Sequence, residues 1–231
     1  MNRNHEIIDF AVSMPEVWSI LSAKEQDLIL DCYVVEYFKK NQTIYCENDI
    51  PINMMCLLSG KVKIHKEGVG GRNQIIRILK PIEYFGYRAF FAHEKYLTGA
   101  SALEASEVCL VPLKIIFELV SSNSELAQYF IKLLSIDLGI ADERTVNLTQ
   151  KHSRGRLAES LVFLIDSYGL EEDKSINIYM AREDLANLSN MTSSNAIRTL
   201  GHFADERIVS LDGRKIKVIN EDMIRKISKL G

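Results

Sequence analysis

No apolar run in this 231-residue sequence approaches the ~20 residues of a membrane-crossing helix. Met1–Phe10 lacks the pattern of a secretory leader, so a cytoplasmic protein is expected. Histidine is scarce, with five residues scattered and no HExxH or paired arrangement. No motif frames a serine, histidine and aspartate as a nucleophile, so neither a catalytic nor a metal site is expected and the chain is read as no enzyme. The four cysteines, Cys32, Cys46, Cys56 and Cys109, all fall in the first half and form no CxxC, the pattern of buried reduced thiols. Nor is there an excess of basic charge: the formal net charge is −3. That balance is uneven, with 13 Lys and Arg against 12 Asp and Glu from Lys151 onward, and 15 against 19 before it. A nucleic-acid partner would therefore depend on where the basic residues stand, not on their number.

What is present is an ordinary globular composition, 47% hydrophobic and 26% charged, over a length that suits one or two domains. The most informative stretch runs from Arg182 to Ile219. Leu185, Ala186 and Leu188 give a short helix one apolar face, and Glu183 and Asp184 complement the positive end of its dipole. Ala181 leaves that helix without a side-chain cap. Asn190-Met191 predicts the turn, and Thr192 stands where the cap of a second helix belongs. In that second helix Ala196, Ile197, Leu200 and Phe203 recur at helical spacing and predict the buried face, leaving Ser193, Ser194, Asn195 and Arg198 outside it. After Glu206 the period changes to two: Val209 and Leu211 lead into Asp212-Gly213, a hairpin signal, and Ile216 and Val218 then alternate with Lys215 and Lys217. Helix, turn, helix and basic-edged hairpin describe a winged helix-turn-helix.

This segment resembles the DNA-binding end of the Crp/Fnr regulators. Their order of arginine, acidic pair, Leu-Ala, turn, hydroxyl residue, arginine-bearing helix and Ile/Val-led wing is met without a gap. The resemblance implies that Arg198 reads a base edge, as a guanidinium fork fits guanine in the major groove, while Arg182 and Thr192 hold phosphates. It also implies that Arg154 lies near the phosphates. The DNA-facing set is then Arg154, Arg182, Thr192, Ser193, Ser194, Asn195, Arg198, Arg214 and Lys215. Ser193-Ser194 stands where many relatives carry a charged pair, so the family's usual operator is not assumed.

The first half reads differently. Val17 to Leu30 predicts one amphipathic helix. From Tyr33 to Val111 short β-rich runs (Thr43–Tyr45, Met54–Leu58, Val62–His65, Ile75–Leu79, Val108–Val111) alternate with turn residues, which predicts a small β-roll or barrel. Cys56 to Ile64, with Gly60 before a Val-x-Ile strand, resembles the cyclic-nucleotide-binding roll of the same family. Receptors of that type hold the nucleotide with a Gly-Glu segment followed by an Arg-Ser pair. Here Tyr87 replaces the glutamate, and Lys95 to Ala100 offers no arginine. Phe85, Gly86, Tyr87, Arg88 and Thr98 mark the place where an effector would bind, but cyclic nucleotide is disfavoured. Haem, which some relatives use to sense gases, has His65, His93, Met54 and Met55 as candidate ligands. No cysteine precedes Cys32, so the N-terminal cysteine cluster of Fnr-type oxygen sensors is missing. The effector itself stays unknown.

Between the halves, Asn123 to Gln150 predicts a long helix free of proline. Leu126, Phe130, Leu133, Asp137, Ile140 and Arg144 step by four and three, the spacing of a coiled-coil seam, with Asp137 and Arg144 interrupting it. The alternative is one helix covering the roll of a monomer. By resemblance this helix pairs with its copy in a two-fold dimer, which would set two reading helices about 34 Å apart on a palindrome. Lys151 to Arg156 is read as a basic hinge before the next apolar helix, Leu157–Leu164.

The expected fold is α+β: an N-terminal cyclic-nucleotide-binding-like β-roll over residues 1–122, a dimerisation helix over 123–150 and a C-terminal winged helix-turn-helix over 151–231. The expected function is that of a transcription regulator binding a palindromic operator in double-stranded DNA as a homodimer, controlled through the roll, with RNA polymerase as a further partner and no membrane. The alternative is a haem or redox sensor of nitrosative or oxygen stress that signals through the same domain or through protein partners. A cupin-type enzyme would need a set of histidines that Ile44–Val111 does not contain.

Overall fold

The computed structural model describes residues 10–231; the reading of Met1–Phe10 as free of a leader lies, but for Phe10, outside them. No described helix is long and apolar enough to cross a membrane. The described chain divides into two compact units, residues 10–67 with 76–138, and residues 68–75 with 139–231.

The first unit opens with three short helices, α1 (Phe10–Ser13), α2 (Pro15–Ile20) and α3 (Ala23–Leu30). The single helix expected over Val17–Leu30 is therefore broken at Leu21-Ser22. Ser22 and Glu25 form a capping box there, the Ser22 amide and hydroxyl both donating to the Glu25 carboxylate at 2.8 and 2.7 Å. A capping box starts a helix and so ends the one before it.

Eight strands follow: β1 (Val34–Phe38), β2 (Thr43–Tyr45), β3 (Asn53–Ser59), β4 (Val62–Glu67), β5 (Asn73–Leu79), β6 (Tyr84–Phe85), β7 (Gly99–Ala102) and β8 (Ser106–Pro112). They form two four-stranded sheets, ordered β1-β8-β3-β6 and β2-β7-β4-β5. All five strand runs named from the sequence are present. Strand β7, Gly-Ala-Ser-Ala, carries no β-branched residue; it is a strand because its small side chains are all buried between β2 and β4.

Alternation along β3 divides the core in two. Met55 and Leu57 face the roll interior with Phe38, Val62, Ile64, Leu79, Phe85 and Val108. Met54 and Cys56 face the opposite way, into a second cluster built with Phe10, Met14, Val17, Ile29, Tyr33 and Val111. Cys56 and Cys109 are cross-strand partners in that cluster and both are buried. Burial pushes both thiols up, Cys109 to about 12, which keeps them protonated and unreactive at neutral pH.

After α4 (Arg88–Phe91) and β8 comes α5 (Leu113–Ser122), then the long α6 (Ser124–Gln150). Leu126 and Phe130 of α6 are buried in the helix-side cluster and Leu133 packs against it. Asp137 accepts from Arg77 at 2.5 Å. The expected dimer seam is thus largely used within the chain, and of its six residues Ile140 alone is an exposed apolar side chain. The large exposed apolar residues of α6 are Ile131, Ile136, Leu138, Ile140 and Val146. Spacing identified an apolar helix correctly but could not say which of its two apolar faces turns inward.

The second unit holds α7 (Ser153–Tyr168), α8 (Arg182–Leu188), α9 (Ser193–Asp205), the hairpin β9 (Val209–Asp212) and β10 (Lys215–Val218), and α10 (Glu221–Leu230). Arg154 and Arg156 lie inside α7, so the expected hinge over Lys151–Arg156 is mostly the first turn of a helix. His152, with extended backbone at ψ 166°, is the break between α6 and α7.

Gly60, between β3 and β4, has φ +86°, and a Cβ there would stand 2.4 Å from both the Ala105 carbonyl and the Ser106 Oγ. Replacing Gly60 by Ala is expected to cost about 2–3 kcal/mol through strain and displacement of that backbone. Urea unfolding measures it; an unchanged midpoint would show that the turn accommodates a side chain.

Candidate nucleic-acid interface

Helix α8 is preceded by Ala181, which gives it no side-chain cap, as its sequence indicates, and is followed by Ser189 at its C-terminal cap. Asn190 then takes φ +50°, the left-handed backbone that a tight turn between helices needs and that asparagine tolerates. Such a turn leaves the last carbonyls of α8 without intrahelical partners. Two arginines satisfy them. Arg156 donates to the Ser189 and Asn190 carbonyls at 3.2 and 3.3 Å, and Arg144 donates to the Leu188 carbonyl at 3.1 Å and to that of Ile75 at 2.6 Å. Below the turn, the Ser189 hydroxyl donates to the Leu185 carbonyl and contacts Ser160 Oγ at 2.8 Å. Neither Arg144 nor Arg156 was assigned this role from sequence, since their partners are backbone atoms more than thirty residues away.

Thr192 caps α9, its hydroxyl accepting from the Asn195 amide at 3.3 Å and contacting Ser194 Oγ at 3.2 Å. Ala196, Leu200 and Phe203 are buried and fix α9 on the unit's core. Ile197, expected beside them, is 54% exposed. With 3.6 residues per turn it falls on the outer arc shared by Ser193, Ser194, Arg198 and Gly201. The run of apolar letters was too dense for spacing to separate one outward residue from three inward ones. Arg198 is exposed and donates to Asn195 Oδ1 at 2.8 Å, which holds the guanidinium along the helix.

The remaining expected residues surround this helix within the same unit. Arg182 donates to the Gly213 carbonyl at 2.7 Å, tying the start of α8 to the wing. The β9–β10 register pairs Asp212 with Lys215, so the wing turn is Gly213-Arg214, one residue later than expected, with Gly213 at φ +52°. Arg214 is exposed at its tip. Lys215 lies over the Tyr179 ring and 3.5 Å from Glu171; the phenol and then the carboxylate hold its ammonium above the usual range. Arg154 makes a two-pronged pair with Glu206 and its guanidinium lies 4.8 Å from the centre of the Phe203 ring.

Of the expected effector residues of the first unit, Phe85, Gly86 and Thr98 gather at the stacked pair Tyr45 and Tyr96: the Phe85 ring is 6.4 Å from that of Tyr45, and a Cβ on Gly86 would stand 3.2 Å from the Tyr96 hydroxyl. Phe85 joins the roll interior, whereas Tyr87 joins the helix-side cluster, 5.3 Å from the Phe130 ring. Arg88 pairs with Glu94 at 2.6 Å. Thr98 bonds the Tyr45 phenol, which burial pushes up to about 12 and which stacks on Tyr96 at 4.0 Å. The haem-ligand candidates are spread apart: Met54 and Met55 face opposite sides of one strand, His65 lies over Gly99, and His93 lines an open surface pocket with Ile50, Pro51 and Phe90. Among the described residues, no group of three or more His, Cys, Asp or Glu is placed to hold a metal ion.

A β-roll joined to a helix-turn-helix with a wing defines a DNA-binding protein with a ligand-sensing type of fold. Residues 35–123 match the cyclic nucleotide-binding domain, and residues 155–227 match the Crp-like helix-turn-helix domain. The chain is 26% identical over 205 residues to electron transport regulator A of Shewanella oneidensis, covering 87% of this chain and 81% of that one. It is 26% identical over 184 residues to the fumarate and nitrate reduction regulatory protein of Vibrio cholerae, covering 79% and 73%. Its fold matches the structure of FixK2 from Bradyrhizobium japonicum with a TM-score of 0.75 at 20% identity, over 84% of this chain and 96% of that one. The chain belongs to the Crp/Fnr family of transcription regulators.

The cap gives a direct test of how α9 is held. Thr192→Ala is expected to lower stability by about 1 kcal/mol, and Thr192→Ser to retain most of it, in thermal unfolding. Equal stability of all three proteins would mean that the cap bond contributes nothing.

Proposed function

We propose that this regulator binds a palindromic operator as a homodimer and that α9 is its base-reading helix. The observation that carries the reading is the outer arc of α9, where Ser193, Ser194 and Arg198 are exposed around a helix whose other face is fixed in the core. An exposed guanidinium held on a rigid helix can form the bidentate pair that selects guanine. Arg182, Thr192, Arg214 and Lys215 supply contacts to the phosphate backbone, with Arg154 available once it leaves Glu206.

The dimer is assigned to the outward face of α6. Ile131 and Leu138 are each 63% exposed and one heptad apart, with Ile136, Ile140 and Val146 nearby. Regulators of this family bind DNA and act as dimers, and a helix of this length, roughly 40 Å, can pair two chains along one axis. RNA polymerase is the natural protein partner of such a regulator, and the cytoplasm is where its DNA would be. The effector stays unknown on this reading: Tyr87 in place of the glutamate and the lack of an arginine in Lys95–Ala100 disfavour cyclic nucleotide, and haem is kept as the alternative. Binding of the effector would shift the population of DNA-competent dimers.

Selection from a random pool of DNA fragments tests the reading: a palindrome with two equal half-sites is the expected product. Arg198→Ala should cost about 1–3 kcal/mol of affinity and relax preference at one base position per half-site. Uniform weakening on all sequences would instead make Arg198 a phosphate contact. For Arg182→Ala, the slope of log affinity against log salt should fall by about one unit per reader; an unchanged slope would remove Arg182 from the phosphate set.

A further inference from the structure

The proposed reading helix carries an apolar side chain that the fold does not use. Ala196, Leu200 and Phe203 of α9 are completely buried, whereas Ile197 is 54% exposed. Its place is between Ser193 and Gly201 on the outer arc, directly before Arg198 in sequence. A β-branched residue is a poor choice for an exposed helix position, because the helix restricts its rotamers and no burial compensates. Gly201, four residues on and on the same arc, is equally unexplained by the fold: a Cβ there would meet nothing within 4 Å, so packing does not require a glycine. A glycine inside a helix weakens it. What the two residues share is an outer surface that is apolar at one position and open to close approach at the next.

We infer that Ile197 reads the 5-methyl group of a thymine in the base pair next to the one contacted by Arg198. An isoleucine side chain can neither donate nor accept a hydrogen bond, so the donors and acceptors of the base edges are lost on it. Of the four ordinary bases only thymine offers a methyl group in the major groove, and contact with an aliphatic side chain is the way proteins recognise it. Ile197 and Arg198 stand about 1.5 Å apart along the helix, less than the roughly 3.4 Å between base pairs, so both side chains reach the same part of one half-site and this thymine is placed beside the guanine of Arg198. Gly201 leaves room for the groove edge to come close to the isoleucine. The inference rests on α9 being the reading helix, and it adds the base that a hydroxyl- and arginine-based reading leaves unassigned.

Deoxyuridine provides the test, since it differs from thymidine by that methyl alone and keeps every hydrogen-bonding group. The protein first selects its preferred sequence from a random fragment pool at low salt. Each thymine of the selected half-site is then replaced in turn by deoxyuridine, and affinities are measured for the wild type and for Ile197→Ala. At the thymine next to the guanine, the wild type should lose about fourfold on deoxyuridine, the value of one methyl group removed from water. Ile197→Ala should bind the two sequences equally, and Ile197→Val, which keeps the branched methyls, should retain most of the difference. Because Ile197 is exposed, the alanine variant should unfold at an unchanged or higher temperature, which separates lost reading from lost fold. Equal wild-type affinity for thymidine and deoxyuridine at every position overturns the inference. So does a deoxyuridine effect that persists unchanged in Ile197→Ala. If no sequence is enriched in the first step, the reading of α9 as base-reading helix fails before the question of Ile197 is reached.

Discussion

The turn between α8 and α9 depends on two arginines that neutralise the carbonyls left open where α8 stops. A helix end withdrawn from water without such partners costs roughly 1–3 kcal/mol for each unsatisfied group. Arg156 and Arg144 supply charged donors to three successive carbonyls, those of Leu188, Ser189 and Asn190. They also place positive charge at the negative end of the α8 dipole. With the turn fixed, α9 leaves it at one angle, Thr192 can cap it, and Ala196, Leu200 and Phe203 meet the core. Everything on the outer arc of α9 inherits its position from that turn.

The importance of position is chemical. Base reading by an arginine fork needs the guanidinium in a narrow range of orientations, and a side chain that must be ordered on binding loses affinity through entropy. Asn195 Oδ1 accepts from Arg198 at 2.8 Å and so orders the fork in advance. The Arg182 bond to the Gly213 carbonyl does the same for the wing relative to α8. The unit therefore holds its proposed reading residues by hydrogen bonds among themselves, on a scaffold fixed by buried apolar groups.

Much of this was legible in the sequence, for reasons that differ along the chain. The winged helix was readable because local rules decide it: Asn at a left-handed turn, Thr at a cap, Gly in a two-residue hairpin, and period-two strands after a period-3.6 helix. The strands β2, β3, β4, β5 and β8 were readable for the same reason. Where tertiary context decided, the sequence misled. Strand β7 is made of small residues that favour no strand, and its burial alone explains it. Leu126 and Phe130 sit at coiled-coil spacing yet are buried in their own chain. Tyr87, in the segment where an effector site is expected, turns away from it and packs on Phe130. Ile197 falls at an apolar spacing and faces outward. In each case periodicity fixes a set of faces, and only the neighbouring elements decide which face is covered.

The charges of the reading unit complete the argument. Several of its basic residues are already engaged with groups of the same unit: Arg154 with Glu206, Lys215 with Glu171 and Tyr179, Arg225 with Asp166 and Glu221. Exposed ion pairs of this kind contribute little to stability, but each one lowers the positive field that a phosphate backbone meets. Sequence-independent affinity for DNA comes almost entirely from that field. On the proposed reading, a unit that pairs Arg154, Lys215 and Arg225 internally and keeps Arg198, two serines and an isoleucine on the outer arc of α9 gives up part of its non-specific attraction and keeps the groups proposed to distinguish bases. The ratio of specific to non-specific affinity, which decides whether a regulator finds its site among the rest of the genome, would then be raised by both choices together.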